Sequence, residues 1–129
     1  MTIFSKIIQG DIPCHKIAET DKYIAFLDVS PVAKGHTLVV PKCEVDYIFS
    51  LDADTLSGLV LFAQKVAVAL KKSIACKRIG VAVIGLEVPH AHIHLVPLNS
   101  ENDMDFKKSR LQLSQAEYEA IAANIRENL

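Results

Sequence analysis

The sequence predicts an α+β fold with a mostly antiparallel, five-stranded sheet, one long helix and a C-terminal helix. The prediction rests on four or five short apolar runs, a stretch with apolar residues at helical spacing over 52–73, and a Ser-x-x-Glu pattern at 114–117 that begins a second helix. We expect a single domain over residues 1–129, with a core at 1–98 and a helix-bearing C-terminal extension at 99–129.

Composition and charge argue against several classes of protein. Half of the residues are apolar and the formal net charge is −1, so no DNA or RNA partner is expected. The cysteines are three in number, widely spaced and outside any C-x-x-C motif, which is typical of a reduced chain (Cys14, Cys43 and Cys76). The apolar pair Ile7-Ile8 is too short and too closely flanked by charges for a signal peptide or membrane anchor. We expect a cytoplasmic protein that binds no membrane.

Short elements fill the first third of the chain. Residues 3–8 are predicted to form an amphipathic turn or helix. Residues 16–18 and 23–28 have the pattern of two strands joined by a polar hairpin link. Residues 36–40, rich in β-branched side chains, form a third predicted strand that ends at Pro41.

From residue 52 the apolar period becomes helical, with Asp52 as the expected N-cap of a helix that ends near residue 73. We assign this helix to the core and give it no chemistry. Residues 80–85 form a near-continuous apolar strand, and residues 89–96 form the next strand. The polar segment 99–108 is predicted to be an exposed loop.

The strand predicted over residues 89–96 carries the most informative pattern in the chain. Histidine recurs at every second position, as His90, His92 and His94. Alternate residues of a strand point to the same face, so these three rings would line one side. The intervening residues would face the core (Ala91, Ile93 and Leu95).

Three interpretations of this pattern compete. The first is a solvated strand face. The second is a metal site, but steps of about 3.3 Å per residue separate the backbones of the outer histidines by about 13 Å, and no cysteine or carboxylate lies at a convincing ligand spacing. The third is catalysis, in which one imidazole is the nucleophile and its neighbours orient it and handle protons. We favour catalysis and expect no metal.

The pattern His-x-His-x-His, followed by two apolar residues, resembles the signature of the histidine triad (HIT) family of nucleotidyl hydrolases and transferases, and in particular its Hint-type purine nucleoside phosphoramidase branch. Three upstream segments are also similar to the family's motifs, and the resemblance extends over about three quarters of the chain (Phe4-Ser5-Lys6-Ile7-Ile8 with Ile12-Pro13, Ala25 to Pro31, and Gly35 to Lys42). It implies a HIT-like fold, a homodimer with a continuous two-subunit sheet, and an AMP- or GMP-like ligand; we expect no cofactor.

The resemblance also implies roles for individual residues. His92 corresponds to the nucleophile that attacks the α-phosphorus of a nucleoside phosphoramidate, while His90 and His94 correspond to members that orient it and contact phosphate oxygens. Asp28 corresponds to the ribose-binding aspartate. The apolar residues that would wall the base pocket are Ile3, Phe4, Ile7, Phe26 and Val29. His36 is expected to be a structural strand residue rather than a catalytic one.

The sequence departs from the family pattern on the phosphate side. Many members have Gly-Gln-Ser/Thr where this chain has Gly85-Leu86-Glu87, and the preceding loop is shortened. Glu87 thus stands at a nucleotide-binding position, where its anion would repel phosphate unless it points away or is protonated. Some branches carry a histidine where this chain has Glu44. In the C-terminal segment, Arg110 and the pair Lys107-Lys108 are better explained as a solvated basic patch than as ligand contacts.

Three functions follow from these observations. The first is a nucleotide hydrolase or nucleotidyl transferase that cleaves a purine nucleoside 5′-phosphoramidate or a related conjugate through a nucleotidyl-histidine intermediate. The second is a nucleotide-binding or interaction protein with little catalysis. The third, placed last, is a zinc-dependent hydrolase.

Overall fold

The computed structural model describes all 129 residues. It contains a five-stranded antiparallel sheet and three helices, which confirms the predicted fold class. In chain order the elements are α1 (Ile3–Ile8), β1 (Lys16–Glu19), β2 (Tyr23–Leu27), β3 (Thr37–Pro41), α2 (Ala53–Ser73), β4 (Arg78–Ala82), β5 (Ile93–Leu98) and α3 (Gln115–Glu127), with short 3₁₀ turns at Ile48–Ser50 and Glu101–Met104.

The strands lie in the order β1-β2-β3-β5-β4, and every neighbouring pair is antiparallel. The polar link between β1 and β2 forms the predicted hairpin. The long helix α2 connects β3 to β4, so β5 returns to the middle of the sheet between them. This topology places His94 of β5 directly opposite Leu38 of β3. It leaves β1 and β4 as the two edges.

The two faces of the sheet are covered differently. Helices α2 and α3 pack on one face and form the main core with the sheet residues Ala25, Leu27, Val39 and Leu95. On the other face, Phe4 of α1 packs in a smaller apolar cluster (Phe4, Ile24, Phe26, Leu38 and Val40). Residues opposite each other on neighbouring strands share a face, so His94 lies on the same side as this second cluster.

Helix α2 is the longest element, and Asp52 caps it as predicted, since its Oδ1 accepts a hydrogen bond from Thr55 N at 2.7 Å. By length and composition the helix could cross a membrane. Its buried residues pack on the sheet instead (Leu59, Phe62, Ala63, Val66, Ala69 and Leu70), as in the core helix of a globular fold. Its opposite side keeps Val60, Leu61 and Val68 exposed.

Helix α3 begins with the predicted capping box, in which Ser114 and Glu117 bond reciprocally to each other's backbone N–H. Its buried residues, Tyr118, Ala122 and Ile125, belong to the same core cluster as α2 and the sheet. Helix α3 therefore packs in the main core.

Two strands differ from the prediction. Strand β4 ends at Ala82, and the chain then turns through Gly85, whose φ of 72° is in the region that favours glycine. Strand β5 begins only at Ile93, so two of the three histidines precede it. The pairing with β3 stops there because Pro41 has no N–H to donate and the N–H of Ala91 bonds to Val45 O, at 2.7 Å.

Candidate functional site

The three triad histidines are buried side by side below helix α1. Their exposed fractions are 0% for His90, 6% for His92 and 9% for His94. The ring of Phe4 meets His92 and His90 edge-on, with centroids 5.0 and 5.8 Å apart, and His92 and His94 are 4.8 Å apart. The predicted shared face is therefore confirmed for the rings, although only His94 lies in a regular strand.

The proton on His92 is placed by the backbone of His90. The Nδ1 atom of His92 lies 2.7 Å from the His90 carbonyl oxygen, which can only accept, so Nδ1 carries the hydrogen and Nε2 carries the lone pair. Every buried side-chain nitrogen and oxygen has a hydrogen-bond partner. Nε2 of His92 has no hydrogen-bond partner, so it is not one of the fully buried atoms and is accessible at the surface. Burial lowers the pKa of His92, which keeps this ring neutral and nucleophilic near neutral pH.

His94 is oriented by His36, which sequence reasoning treated as structural. Val32 N donates to His36 Nδ1 at 3.1 Å, so His36 is protonated on Nε2 and donates to His94 Nδ1 at 2.9 Å. The neutral His94 ring then presents Nε2–H to the surface as a donor. Burial lowers the pKa of His36 to about 3 and that of His94 to about 4. Both rings are consequently neutral at physiological pH.

Asp28 joins this pair, so a carboxylate does lie near the triad, contrary to the expectation from spacing. Ligand-type atoms of Asp28, His36 and His94 lie within 4.8 Å of one another, with Asp28 Oδ2 3.5 Å from His36 Nε2. A metal on His36 Nε2 would require the hydrogen on Nδ1, where it would face the N–H of Val32. The arrangement thus favours a hydrogen bond from His36 to His94 over a metal site.

The predicted base-pocket residues divide into two groups. Phe4, Ile7 and Phe26 meet in the smaller apolar cluster, with the ring centroids of Phe4 and Phe26 5.7 Å apart and an interplanar angle of 70°. Ile3 and Val29 are exposed, at 50% and 76%.

Asp28 follows β2 and accepts a hydrogen bond from Ser30 N at 2.8 Å on one oxygen. Burial raises the pKa of Asp28. Glu87 lies in the loop before the triad and is exposed. Its negative charge adds to the rise in the pKa of Asp28, so it belongs to the same side of the molecule. An ionised carboxylate has no hydrogen to donate, so Glu87 does not supply a hydrogen bond to a phosphate from this position.

The C-terminal segment contributes two residues that sequence reasoning did not place here. The ring of Phe106, in the stretch predicted to be an exposed loop, lies 4.8 Å from that of His94 and 5.8 Å from that of His36. Arg110 lies over Phe106, and it donates to Ser30 O at 2.7 Å and Phe106 O at 3.1 Å. It is therefore held beside the histidines rather than in a solvated patch. The only sequence signal was a single aromatic residue in a polar segment.

The fold and the three aligned histidines define a histidine triad protein. The family model described as the HIT domain matches residues 9–101, and the chain belongs to this family.

Among its relatives, the adenosine 5′-monophosphoramidase of Schizosaccharomyces pombe is 35% identical over 100 residues, which cover 77% of this chain and 75% of that protein. The crystal structure of a HIT-like protein from Bartonella henselae has a TM-score of 0.86 at 32% identity and covers 99% of this chain and 96% of its own. A Zn-bound histidine triad protein from Mycobacterium smegmatis has a TM-score of 0.84 at 26% identity, with coverage of 98% and 91%.

Proposed function

We propose that this protein hydrolyses a purine nucleoside 5′-phosphoramidate, or a related conjugate of a nucleoside monophosphate, through a nucleotidyl intermediate on His92. The observation that carries the proposal is the state of the His92 ring: its Nδ1–H is held by the His90 carbonyl, and its Nε2 lone pair faces outward. The phosphoramidase activity named for the S. pombe relative supports the same reaction class.

The reaction consists of two displacements at one phosphorus. Nε2 of His92 bonds to the α-phosphorus while the bond to the leaving nitrogen breaks, and that nitrogen takes a proton from water and departs as the amine. Water then bonds to phosphorus, the electron pair of the P–N bond returns to His92, and one proton is released. His94 presents its Nε2–H as a donor to the phosphate or leaving group, which stabilises charge in both steps.

The nucleoside is assigned to the surface formed by α1 and the end of β2. Phe4, Ile7 and Phe26 provide an apolar wall for a flat base, and the exposed Ile3 and Val29 extend it. The carboxylate of Asp28 can accept hydrogen bonds from both hydroxyls of a ribose. In this assignment Glu87 borders the phosphate side and selects against additional negative charge on the ligand.

The test is hydrolysis of adenosine 5′-phosphoramidate by the purified protein, followed by the release of AMP. We expect turnover of this substrate and a KM at least about 10-fold higher for the 2′,3′-dideoxy analogue, because the latter offers Asp28 no hydroxyls. AMP binding without turnover of any nucleotide conjugate would favour a nucleotide-binding protein. Activity that a chelator abolishes would favour a zinc-dependent hydrolase.

We also propose that the protein is a homodimer that pairs through α2 and the β4 edge. The exposed side of α2 and the neighbouring strand carry apolar residues with exposed fractions above one half (Val60 53%, Leu61 60%, Val68 52% and Val81 64%). An exposed apolar patch of this kind is typical of a protein–protein interface, and β4 has unpaired backbone groups along its outer edge.

Light scattering is expected to show a dimer for the parent protein and a monomer for Val68→Glu. The control is Phe49→Glu, which charges a more exposed apolar residue outside this surface. A parent protein that is monomeric at micromolar concentration would contradict the proposal.

The compartment we propose is the cytoplasm, because the three cysteines are all unpaired.

A further inference from the structure

The hydrogen bonds around His90 continue to three residues outside the triad. Thr2 Oγ1 lies 2.8 Å from His90 Nδ1. One oxygen of Glu44 accepts from the backbone N–H of Thr2 at 2.8 Å and from the Ser5 hydroxyl at 2.7 Å. We call Thr2, Ser5 and Glu44 the Glu44 network. It connects the start of α1 with the segment after β3 and with a completely buried histidine.

The direction of each hydrogen bond is determined by its partners. His90 Nε2 lies 2.8 Å from the Pro41 carbonyl oxygen and must donate to it. In the neutral ring Nδ1 is then an acceptor, and the Thr2 hydroxyl donates to it. The same Thr2 oxygen accepts from Ser5 N at 3.0 Å as the N-cap of α1. Thr2 thus caps the helix and also holds the Nδ1 side of the His90 ring, whose tautomer is set by the Pro41 carbonyl.

The consequence for catalysis comes through the backbone of His90. Its carbonyl accepts the Nδ1–H of His92, and that bond becomes charge-assisted when His92 carries a nucleotidyl group and a positive charge. A ring held at both nitrogens keeps this carbonyl in place. We propose that Thr2, held by Glu44, is a positioning residue for the nucleophile His92; the proposal rests on the proposed function.

Glu44 is suited to this role because it is charged. The hydrogen bond from the Ser5 hydroxyl, with that from Thr2 N, lowers the pKa of Glu44. An anionic acceptor binds both donors of α1 more strongly than a neutral one. Since α1 also carries Phe4, whose ring meets His92, the network fixes the base-binding helix and the nucleophile relative to each other.

Three substitutions at Thr2 separate positioning from helix capping. Thr2→Ser keeps both the cap and the donor, and we expect kcat within about twofold of the parent. Thr2→Asp keeps the capping acceptor but removes the hydroxyl donor, and we expect kcat to fall about 10- to 100-fold with the Kd for AMP nearly unchanged. Thr2→Val removes both groups, and kcat should fall at least as much as in Thr2→Asp. Parental kcat in Thr2→Asp, or equal losses in Thr2→Ser and Thr2→Asp, would overturn the proposal.

A second readout does not depend on turnover. In ¹⁵N NMR spectra of the histidine rings, the parent and Thr2→Ser should show His90 with an unprotonated Nδ1. In Thr2→Asp the His90 ring should carry a proton on Nδ1 as well as on Nε2. The His92 ring signals should shift in the same variant. Unchanged signals for both rings in Thr2→Asp would refute the network. A parent that hydrolyses no phosphoramidate would refute the proposed function instead, and the spectra would still decide whether Thr2 fixes His90.

Discussion

Replacing His92 with alanine is expected to lower kcat by at least about 10⁴-fold while the protein still binds AMP. In the proposed mechanism His92 supplies the attacking electron pair. No neighbouring ring offers a free lone pair, because Nδ1 of His94 accepts from His36, which leaves the hydrogen on its Nε2, and both nitrogens of His90 are bonded to protein atoms. Losing the proposed nucleophile would remove the covalent route entirely, whereas the proposed base and ribose contacts lie on other residues.

The measurement is intact-mass spectrometry on samples quenched rapidly, without acid, after mixing with adenosine 5′-phosphoramidate. The parent protein should transiently gain one adenylyl group, and His92→Ala should gain none. His15→Ala is a suitable control, because His15 stacks on Tyr118 and makes no side-chain hydrogen bond with the triad. Normal turnover by His92→Ala, or an adduct on another residue, would show that the mechanism is wrong.

The second large effect is a loss of stability on mild acidification. His36 and His94 have pKa values lowered by burial to about 3 and about 4, against 6.5 for an unperturbed histidine. Between about pH 6.5 and pH 4 the unfolded chain therefore binds protons that the folded chain does not. Above this window each neutral ring makes its full contribution to the free energy of unfolding. That contribution falls by about 1.4 kcal/mol per pH unit for each ring as the pH decreases through the window.

Urea denaturation at about pH 7, 6 and 5 would measure this dependence. His36→Gln should remove the contribution of that ring, so the slope of stability against pH should be clearly smaller in that variant than in the parent. A parent whose stability is constant from about pH 7 to 5 would contradict the neutral, buried state of these rings.

Local patterns in the chain were sufficient to predict most of the fold. The helical period of α2, the N-cap at Asp52 and the capping box at Ser114 involve residues within a few positions of one another, so chain geometry alone specifies them. The alternation of histidines placed the three rings on one side, and the resemblance to the HIT family assigned roles to them. Strand ends were less accurate, because the start of β5 depends on the missing N–H of Pro41 and on the hydrogen bond from Ala91 N to Val45 O.

The residues that set the protonation state of the site could not be predicted in this way. His36 lies 58 positions from the partner that it orients, and Thr2 lies 88 positions from His90. Phe106 reaches the histidines only because its segment folds back over β5.

By itself, the sequence determined the fold class and the family and singled out His92 as the proposed nucleophile, since each depends on residue types at short, regular spacing. Only the tertiary structure decided which nitrogen of each histidine carries the hydrogen. A tautomer is chosen by the partner that each nitrogen meets, and those partners come from distant parts of the chain.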